Sequence, residues 1–150
     1  MQKVVVVLMA LFAAVLPLDA QSNTVIDALL DADPAAFGDA AYLVLSAAKV
    51  IPEKATPKDA VWTLQAGDWG IAGRSAKEPI TVGEYAFLLV QAFAVRGGIM
   101  YRAFPGPRYA CRELAFLGLL EGNTAPNRRL AGEEAVQILS RFLEQRRAEP

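Results

Sequence analysis

The chain has 150 residues, of which 54% are hydrophobic, and its 15 basic side chains nearly balance its 16 acidic ones. This balance gives no indication that the chain binds nucleic acid or an anionic lipid surface, since proteins that bind either one usually carry an excess of basic residues. There is no histidine, which excludes the usual proton shuttle near neutral pH, Ser-His and Cys-His nucleophile pairs and the commonest ligand of zinc, copper or haem, so we predict neither an enzyme activity nor a cofactor nor a metal site.

The amino end has the pattern of an export signal. One base, Lys3, precedes an uncharged run from Val4 to Leu18, which Asp19-Ala20 follow. This arrangement is typical of a secretory signal peptide, and the run is shorter than the roughly 20 apolar residues that a membrane-spanning helix needs. We predict a signal peptide at residues 1–20 that is cleaved after Ala20, with retention as an uncleaved membrane anchor as the alternative. The protein is then exported, to the periplasm or the cell surface.

Residues 21–56 are predicted to form the N-terminal helices. A short helix starts at Asn23 or Thr24. A second helix starts at Asp33-Pro34, because Asp accepts hydrogen bonds from the first amides of a helix and Pro fits its first turn. The apolar residues of this second helix recur at spacings of three and four and predict a stripe that faces the core: Phe37, Ala40, Ala41, Val44, Ala47 and Ala48.

A third start signal lies at Thr56-Pro57. It predicts a helix with an apolar face that ends in the glycine-punctuated stretch 67–73. The residues expected to face the core from this helix are Ala60, Val61 and Leu64.

The strongest local signal is a capping box formed by Thr81 and Glu84. In this motif the two side chains bind each other's backbone amides and fix the first turn of a helix. We predict the helix over residues 82–95 and expect Gly97-Gly98 to end it.

Two more helices are predicted towards the carboxyl end. One covers residues 108–119 and ends near Gly122. The last covers residues 131–146 and has an apolar face made by Val136, Leu139, Phe142 and Leu143. Strand signals are weak, because the candidate stretch 99–101 is too short.

The single cysteine, Cys111, cannot form an internal disulfide. It falls within a predicted helix, where a small buried residue is the expected role. An intermolecular disulfide is the alternative in an exported protein with an odd cysteine.

Two stretches about 50 residues apart have similar sequences, and each follows a similar loop and a similar upstream helix. A duplicated unit of this length is a helical module that buries its apolar face against its neighbour. The predicted fold class is therefore all-α, with tandem helical-hairpin repeats packed into one small bundle. Repeat 1 covers residues 57–97, repeat 2 covers 98–150, and residues 21–56 hold part of a third unit. The matching pairs are 57–64 with 107–114, 69–73 with 117–122, and 83–93 with 132–142.

These units resemble the S-layer homology module over about residues 57 to 145. That module has a helix, a Gly-Ile-x-x-Gly loop, and a second helix opened by a Thr-Arg-Ala-Glu motif. The matching segments are 69–73 and 80–86 in the first copy, and 117–122 and 129–135 in the second.

The resemblance implies attachment to cell-envelope glycan through grooves between repeats. In the family, the arginine of the motif contacts the anionic polymer, whereas this chain has Val82 and Ala131 there. An apolar side chain cannot supply the forked, charge-assisted hydrogen bonds of a guanidinium group. The candidate substitutes are Arg108, Arg112, Arg128 and Arg129.

Two functions therefore remain as hypotheses. The preferred one is a non-catalytic structural or assembly module of the cell envelope, whose helical repeats present an apolar groove to a protein partner. The alternative is an anchoring module that binds cell-wall glycan or a peptidoglycan-linked polymer. Contact with a membrane is expected only through an uncleaved leader, and the sequence does not indicate the oligomeric state.

Aromatic side chains among arginines suit either partner. We expect Trp62, Trp69, Tyr101 and Phe104 to lie in the core or in a groove lining. The predicted partner-binding residues are Trp69, Arg102, Arg108, Arg112, Arg128 and Arg129.

Overall fold

A computed structural model describes residues 20–71 and 73–148. These residues form α-helices and contain no strand, so the all-α prediction is confirmed. No helix among them is long and apolar enough to cross a membrane. The predicted signal peptide falls, except for Ala20, outside the described residues. The helices are α1 (Ala20–Leu30), α2 (Phe37–Ala47), α3 (Pro57–Ala66), α4 (Val82–Ala92), α5 (Ile99–Ala103), α6 (Pro107–Phe116) and α7 (Gly132–Ala148).

Helices α2 and α4 form the centre of the bundle. Eight of the eleven residues of each are buried, which is more than in any other described helix. Helix α2 packs against α1, α3, α4 and α7, and α4 packs against α2 and α6. The predicted stripe on α2 is confirmed at Phe37, Ala40, Ala41 and Val44, whose exposure is at most 1%. Its last members lie at the edge of the core and are only half-buried.

Three extended segments meet in the core and close a ring of backbone hydrogen bonds. The amide of Ala35 donates to the carbonyl of Leu130 at 2.8 Å, that of Leu130 donates to Ile80 at 3.0 Å, and that of Ile80 donates to Ala35 at 3.0 Å. All three residues are fully buried. Because the three segments lead into α2, α4 and α7, the ring fixes where these helices begin.

The same segments also bind the first amides of the three helices. Helix N-termini leave amides without a partner inside the helix, and here each is satisfied by the backbone of the neighbouring segment. The donors and their acceptor carbonyls are Phe37 and Glu78 (2.7 Å), Val82 and Arg128 (2.9 Å), and Gly132 and Ala32 (2.9 Å).

This arrangement corrects the predicted start of the second helix at Asp33-Pro34. Helix α2 begins at Phe37, and its N-cap residue, Ala36, makes no side-chain cap. The residues between are held extended by the ring and by an antiparallel bridge between Ala36 and Pro79. A long-range backbone contact therefore overrides the local signal.

Helices α3 and α4 begin where the sequence predicts. Both starts carry a complete capping box, formed by Thr56 with Asp59 and by Thr81 with Glu84. The predicted core residues of α3 are also buried, namely Ala60, Val61 and Leu64.

Helices α2, α4 and α6 end in the same way, and α4 and α6 end earlier than predicted. A residue with positive φ follows the helix, and the next amide donates back to a carbonyl near the helix end, as in a Schellman motif. The left-handed residues are Lys49 (φ 59°) after α2, Ala94 (φ 49°) after α4 and Gly118 (φ 72°) after α6.

The predicted stops at Gly97-Gly98 and near Gly122 are therefore wrong. After α4 the amide of Val95 donates to Val90 at 2.9 Å, and after α6 the amide of Leu119 donates to Leu114 at 2.9 Å. Each donor residue is apolar and packs on the core, and this contact closes the helix before the predicted glycines are reached.

Helix α5 was not predicted. It covers the stretch that the sequence marks only as a strand too short to form. Its one inward contact is Tyr101, whose ring lies edge-on to Phe87 with a centroid distance of 6.3 Å. At the two ends of the described chain, α1 is already helical at Ala20, ahead of the predicted start at Asn23 or Thr24, and α7 continues to Ala148, two residues beyond the predicted end.

Candidate functional site

A groove of about 500 Å³ lies where the loop after α4 passes the ends of α6 and α7. Its lining is mainly apolar, with three charged side chains among the apolar ones. Phe116 stands out because 87% of it is exposed, and it continues the apolar lining of the groove outwards; contiguous exposed apolar surface of this kind often marks an interaction site. The apolar lining includes Val95, Phe116, Leu117, Leu119 and Phe142, and the charged lining is Arg96, Glu113 and Arg146.

Arg146 places a fixed positive charge at the edge of this groove. Its guanidinium group donates to the carbonyl of Phe93 at 2.8 Å. It also lies 5.6 Å from the ring centroid of Phe93 and 5.8 Å from that of Phe142. The two rings are 4.9 Å apart. A cation held over two aromatic faces gains cation–π attraction, so this charge keeps a defined position beside the apolar wall.

A second concavity of about 600 Å³ adjoins the groove and shares Val95, Arg96 and Gly97 with it. Arg102 and Tyr101 complete its polar lining, so it has two guanidinium groups and no carboxylate. Burial raises the pKa of Tyr101, and its phenol therefore stays neutral over the physiological range. The concavity suits an anionic group.

A third, smaller cavity of about 210 Å³ lies beside α6. Arg108 and Arg112 line it from positions one helical turn apart, and Thr124 and Pro126 line it from the following loop. Both arginines are exposed. Two guanidinium groups at this spacing can bind one carboxylate or phosphate.

Cys111 lies at the inner wall of this small cavity. Only 2% of it is exposed, and its thiol donates to the carbonyl of Thr124 at 3.0 Å. Burial raises the pKa of the Cys111 thiol, and the positive charge of Arg128 opposes this to a smaller extent. The predicted role as a small core residue is confirmed.

We expect the native Cys111 thiol to react with iodoacetamide at least about tenfold more slowly than a free cysteine at pH 8, because the thiolate is the reactive species and burial disfavours it. Since the pKa is raised, the native rate should rise only at a higher pH than that of the free amino acid. Alkylation followed by mass spectrometry measures the rate, and the protein unfolded in urea, which should react at the normal rate, is the control. Rapid native alkylation, or a covalent dimer on a non-reducing gel, would contradict this picture.

Arg128 has a structural role. Its guanidinium group binds the carboxylate of Glu134 in a forked pair at 2.9 and 2.5 Å, and its Nε donates to the carbonyl of Asn123 at 2.9 Å. The hydrogen bond with Glu134 raises the pKa of Arg128 above its usual value. The side chain thus secures the loop that leads into α7.

The structure separates the six predicted partner-binding residues. Arg102 lines the second concavity, and Arg108 and Arg112 line the small cavity. The other three line none of the cavities described above. They are Arg128 in its ion pair, the exposed Arg129, and the half-buried Trp69, whose carbonyl accepts a hydrogen bond from Gln91 at 2.8 Å.

Of the four aromatic residues expected in the core or in a groove lining, two are on the surface. Trp62 is 69% exposed and Phe104 is 63% exposed, so neither lies in the core, while Trp69 and Tyr101 are half-buried. Sequence reasoning also missed Phe116, Arg96 and Arg146. A signal for Phe116 was present in the sequence. It follows Arg112 by four residues, as Arg112 follows Arg108, and this spacing puts all three on one face of α6.

These cavities offer apolar surface and guanidinium groups for noncovalent binding. Among residues 20–71 and 73–148 there is no group of three or more cysteine, aspartate or glutamate side chains that could hold a metal ion. Comparison with protein-family models found no match. No curated protein and no solved structure matched the chain either.

Proposed function

We propose that the protein is an exported, non-catalytic structural or assembly module of the cell envelope, built from helical repeats similar to those of S-layer homology modules, which binds a protein partner in the groove beside α6 and α7. The observation that carries the proposal is the groove itself, an apolar wall ending in the exposed Phe116 and flanked by two arginines. A partner segment with an apolar side chain and a nearby carboxylate fits this combination, because the apolar contact gives affinity and the arginines give orientation.

The packing order of the helices supports three units rather than two. We assign the units as α1–α2, α3–α4 and α6–α7, each a helix, a loop and a second helix that begins at the backbone ring. The second helix of each unit packs on the first helix of the next: α2 on α3, α4 on α6, and α7 on α1. This cyclic order explains why one segment from each unit enters the ring.

The ring also refines the alignment of the units. In the ring Ile80 is bonded to Leu130. An alignment that matches these two residues is shifted by one residue from the alignment in which Val82 matches Ala131. In the refined register Val82 matches Gly132, and both are buried. The position of the family's glycan-binding arginine therefore carries no guanidinium group in either unit.

The refined register aligns two carboxylates that are each paired with an arginine. It matches Glu84 with Glu134, and each carboxylate lies beside an arginine at the start of its helix. Arg74 is 3.5 Å from Glu84, and Arg128 is paired with Glu134. Both pairs are partly exposed, so each contributes little to stability. Only the carboxylates match in this register, since Arg74 is aligned with Thr124 and Arg128 with Glu78.

The alternative, binding to cell-wall glycan or a peptidoglycan-linked polymer, depends on the small cavity lined by Arg108 and Arg112. Since the arginines of the groove and those of this cavity differ, one pair of variants separates the two functions. Arg108→Glu with Arg112→Glu reverses the charge of the cavity, and Phe116→Asp places a charge on the apolar wall of the groove.

For the protein partner, we expect photo-crosslinking from a benzoylphenylalanine placed at Phe116 to trap one envelope protein in stoichiometric yield, and the same probe at Trp62 to trap none. Phe116→Asp should reduce recovery of that partner at least about tenfold, while Arg108→Glu/Arg112→Glu should leave it nearly unchanged. Trp62→Asp is the matched control, since Trp62 is also an exposed aromatic.

Absence of a crosslinked protein, with the fold intact by circular dichroism, would count against the proposal. Co-sedimentation with cell-wall sacculi that is lost only in the double arginine variant would favour the glycan alternative.

A further inference from the structure

Helix α5 lies on the surface and exposes apolar side chains to solvent. None of its residues is buried. Ile99 is 82% exposed, Met100 is 48% exposed, and Phe104, which follows the helix, is 63% exposed. These are three of the seven large apolar side chains that are exposed among the described residues. With Tyr101 as its inward contact, α5 forms a convex apolar projection.

The surroundings of α5 are positively charged. Residues 96–112 contain four arginines and no acidic residue, although the whole chain has nearly equal numbers of both. Arg96 and Arg102 face the concavity of about 600 Å³, which no carboxylate lines. Glu113, the next acidic residue along the chain, lies instead against Gly98 in the lining of the groove. Cationic and apolar groups are thus adjacent here, and the carboxylate of Glu113 lies on the side of the groove rather than in the concavity.

We propose that α5 and its flanking loops dock on the surface of an anionic phospholipid bilayer. Ile99, Met100 and Phe104 enter the boundary between headgroups and acyl chains, as the apolar face of an interfacial helix does. Arg96 and Arg102 bind a headgroup phosphate in the concavity beside them, since guanidinium groups match phosphate geometry and basic residues are attracted to anionic leaflets.

The shape of the surface favours a bilayer over an acidic protein. A protein partner binds an exposed aromatic side chain by enclosing it in a preformed pocket. A bilayer instead deforms around projecting side chains. Here Ile99 and Met100 project from one short helix, and Phe104, stacked on Tyr109 with a centroid distance of 6.3 Å, projects from the residue after it. Arg96 precedes the helix and Arg102 lies on it. The proposal goes beyond the groove of the proposed function, because it uses other residues and another class of partner.

The test is sedimentation of the full chain with vesicles. The vesicles are made either of phosphatidylcholine alone or of equal parts phosphatidylglycerol and phosphatidylcholine. We expect binding to the anionic vesicles, little binding to the neutral ones, and loss of binding at high salt, where charges are screened. Ile99→Ser/Phe104→Ser and Arg96→Gln/Arg102→Gln should each reduce binding to anionic vesicles at least about tenfold. All variants share the same leader, so a difference between them reports on α5.

Matched controls lie on and before α3. Trp62→Ser removes an exposed aromatic residue, and Lys54→Gln/Lys58→Gln removes two exposed cations, and neither should change binding. The replaced side chains are all exposed or at a helix end, and circular dichroism verifies the fold of each variant.

The proposal is overturned by failure to bind anionic vesicles, by equal binding to neutral ones, or by retained binding in the Ile99/Phe104 variant. Full displacement by inorganic phosphate would reassign the concavity to a free anion. A protein crosslinked to α5 without vesicle binding would reassign the surface to a protein. Crosslinking from Phe116 reports on the groove separately.

Discussion

Replacing Gly132 with alanine is expected to lower the free energy of unfolding by about 3 kcal/mol. A Cβ atom at this position would lie 1.6 Å from the carbonyl oxygen of Leu29 and 2.6 Å from its carbonyl carbon. Both are backbone atoms, which cannot rotate away as the tip of a side chain can. The amide of Gly132 also donates to the carbonyl of Ala32, so the start of α7 cannot move without loss of this bond. Relief of the clash requires that α1 move away from α7.

Urea unfolding followed by circular dichroism measures this effect. Gly106→Ala is the matched control, because no heavy atom lies within 4 Å of a Cβ built at Gly106 and its φ of 171° is extended backbone. The control should remain within about 0.5 kcal/mol of the native protein. If Gly132→Ala were equally stable, α1 could not lie against the start of α7 as described.

Leu130→Ala is expected to cost about 3 kcal/mol through loss of burial and creation of a cavity. Leu130 is fully buried where the three ring segments meet. The substitution leaves the backbone amide and carbonyl in place, so both ring bonds of this residue remain possible. The measured change therefore reports on side-chain packing around the ring rather than on the bonds themselves.

Leu30→Ala is the control for this second variant, since it removes the same atoms from a side chain that is 42% exposed. Its cost should be below about 1 kcal/mol. Urea unfolding at one protein concentration compares the two variants directly. Equal destabilisation of both would show that Leu130 is not enclosed by the ring segments.

The parts of the fold that depend on local chemistry could be predicted from the sequence. The starts of α3 and α4 are examples, since Thr56 and Thr81 form their caps with residues only three positions away. The start of α2 could not, because it depends on a hydrogen bond between Ala35 and Leu130. The ends of α4 and α6 differ from the prediction for a related reason: the packing of Val95 and Leu119 decides them, and the predicted stops at Gly97-Gly98 and Gly122 do not.

The candidate surfaces were only partly predictable. Arg102, Arg108 and Arg112 could be identified from their aromatic neighbours, and each lines a cavity. The groove could not be identified, because Phe116 and Arg146 come from helices whose packing the sequence does not specify. The overall charge balance was also uninformative about α5, since it averages the basic segment 96–112 with acidic segments elsewhere.

The closure of the backbone ring has a consequence for how the molecule unfolds and how it could evolve. Each of its three segments donates one bond and accepts one, so the ring offers no free position for a fourth segment. An open solenoid can lengthen by adding units at its ends and can fray from them. The ring formed by the described segments has no such end: detaching any one segment breaks two of its three bonds. We therefore expect these segments to separate in a single concerted transition, and a further segment added by duplication would find no place in the ring.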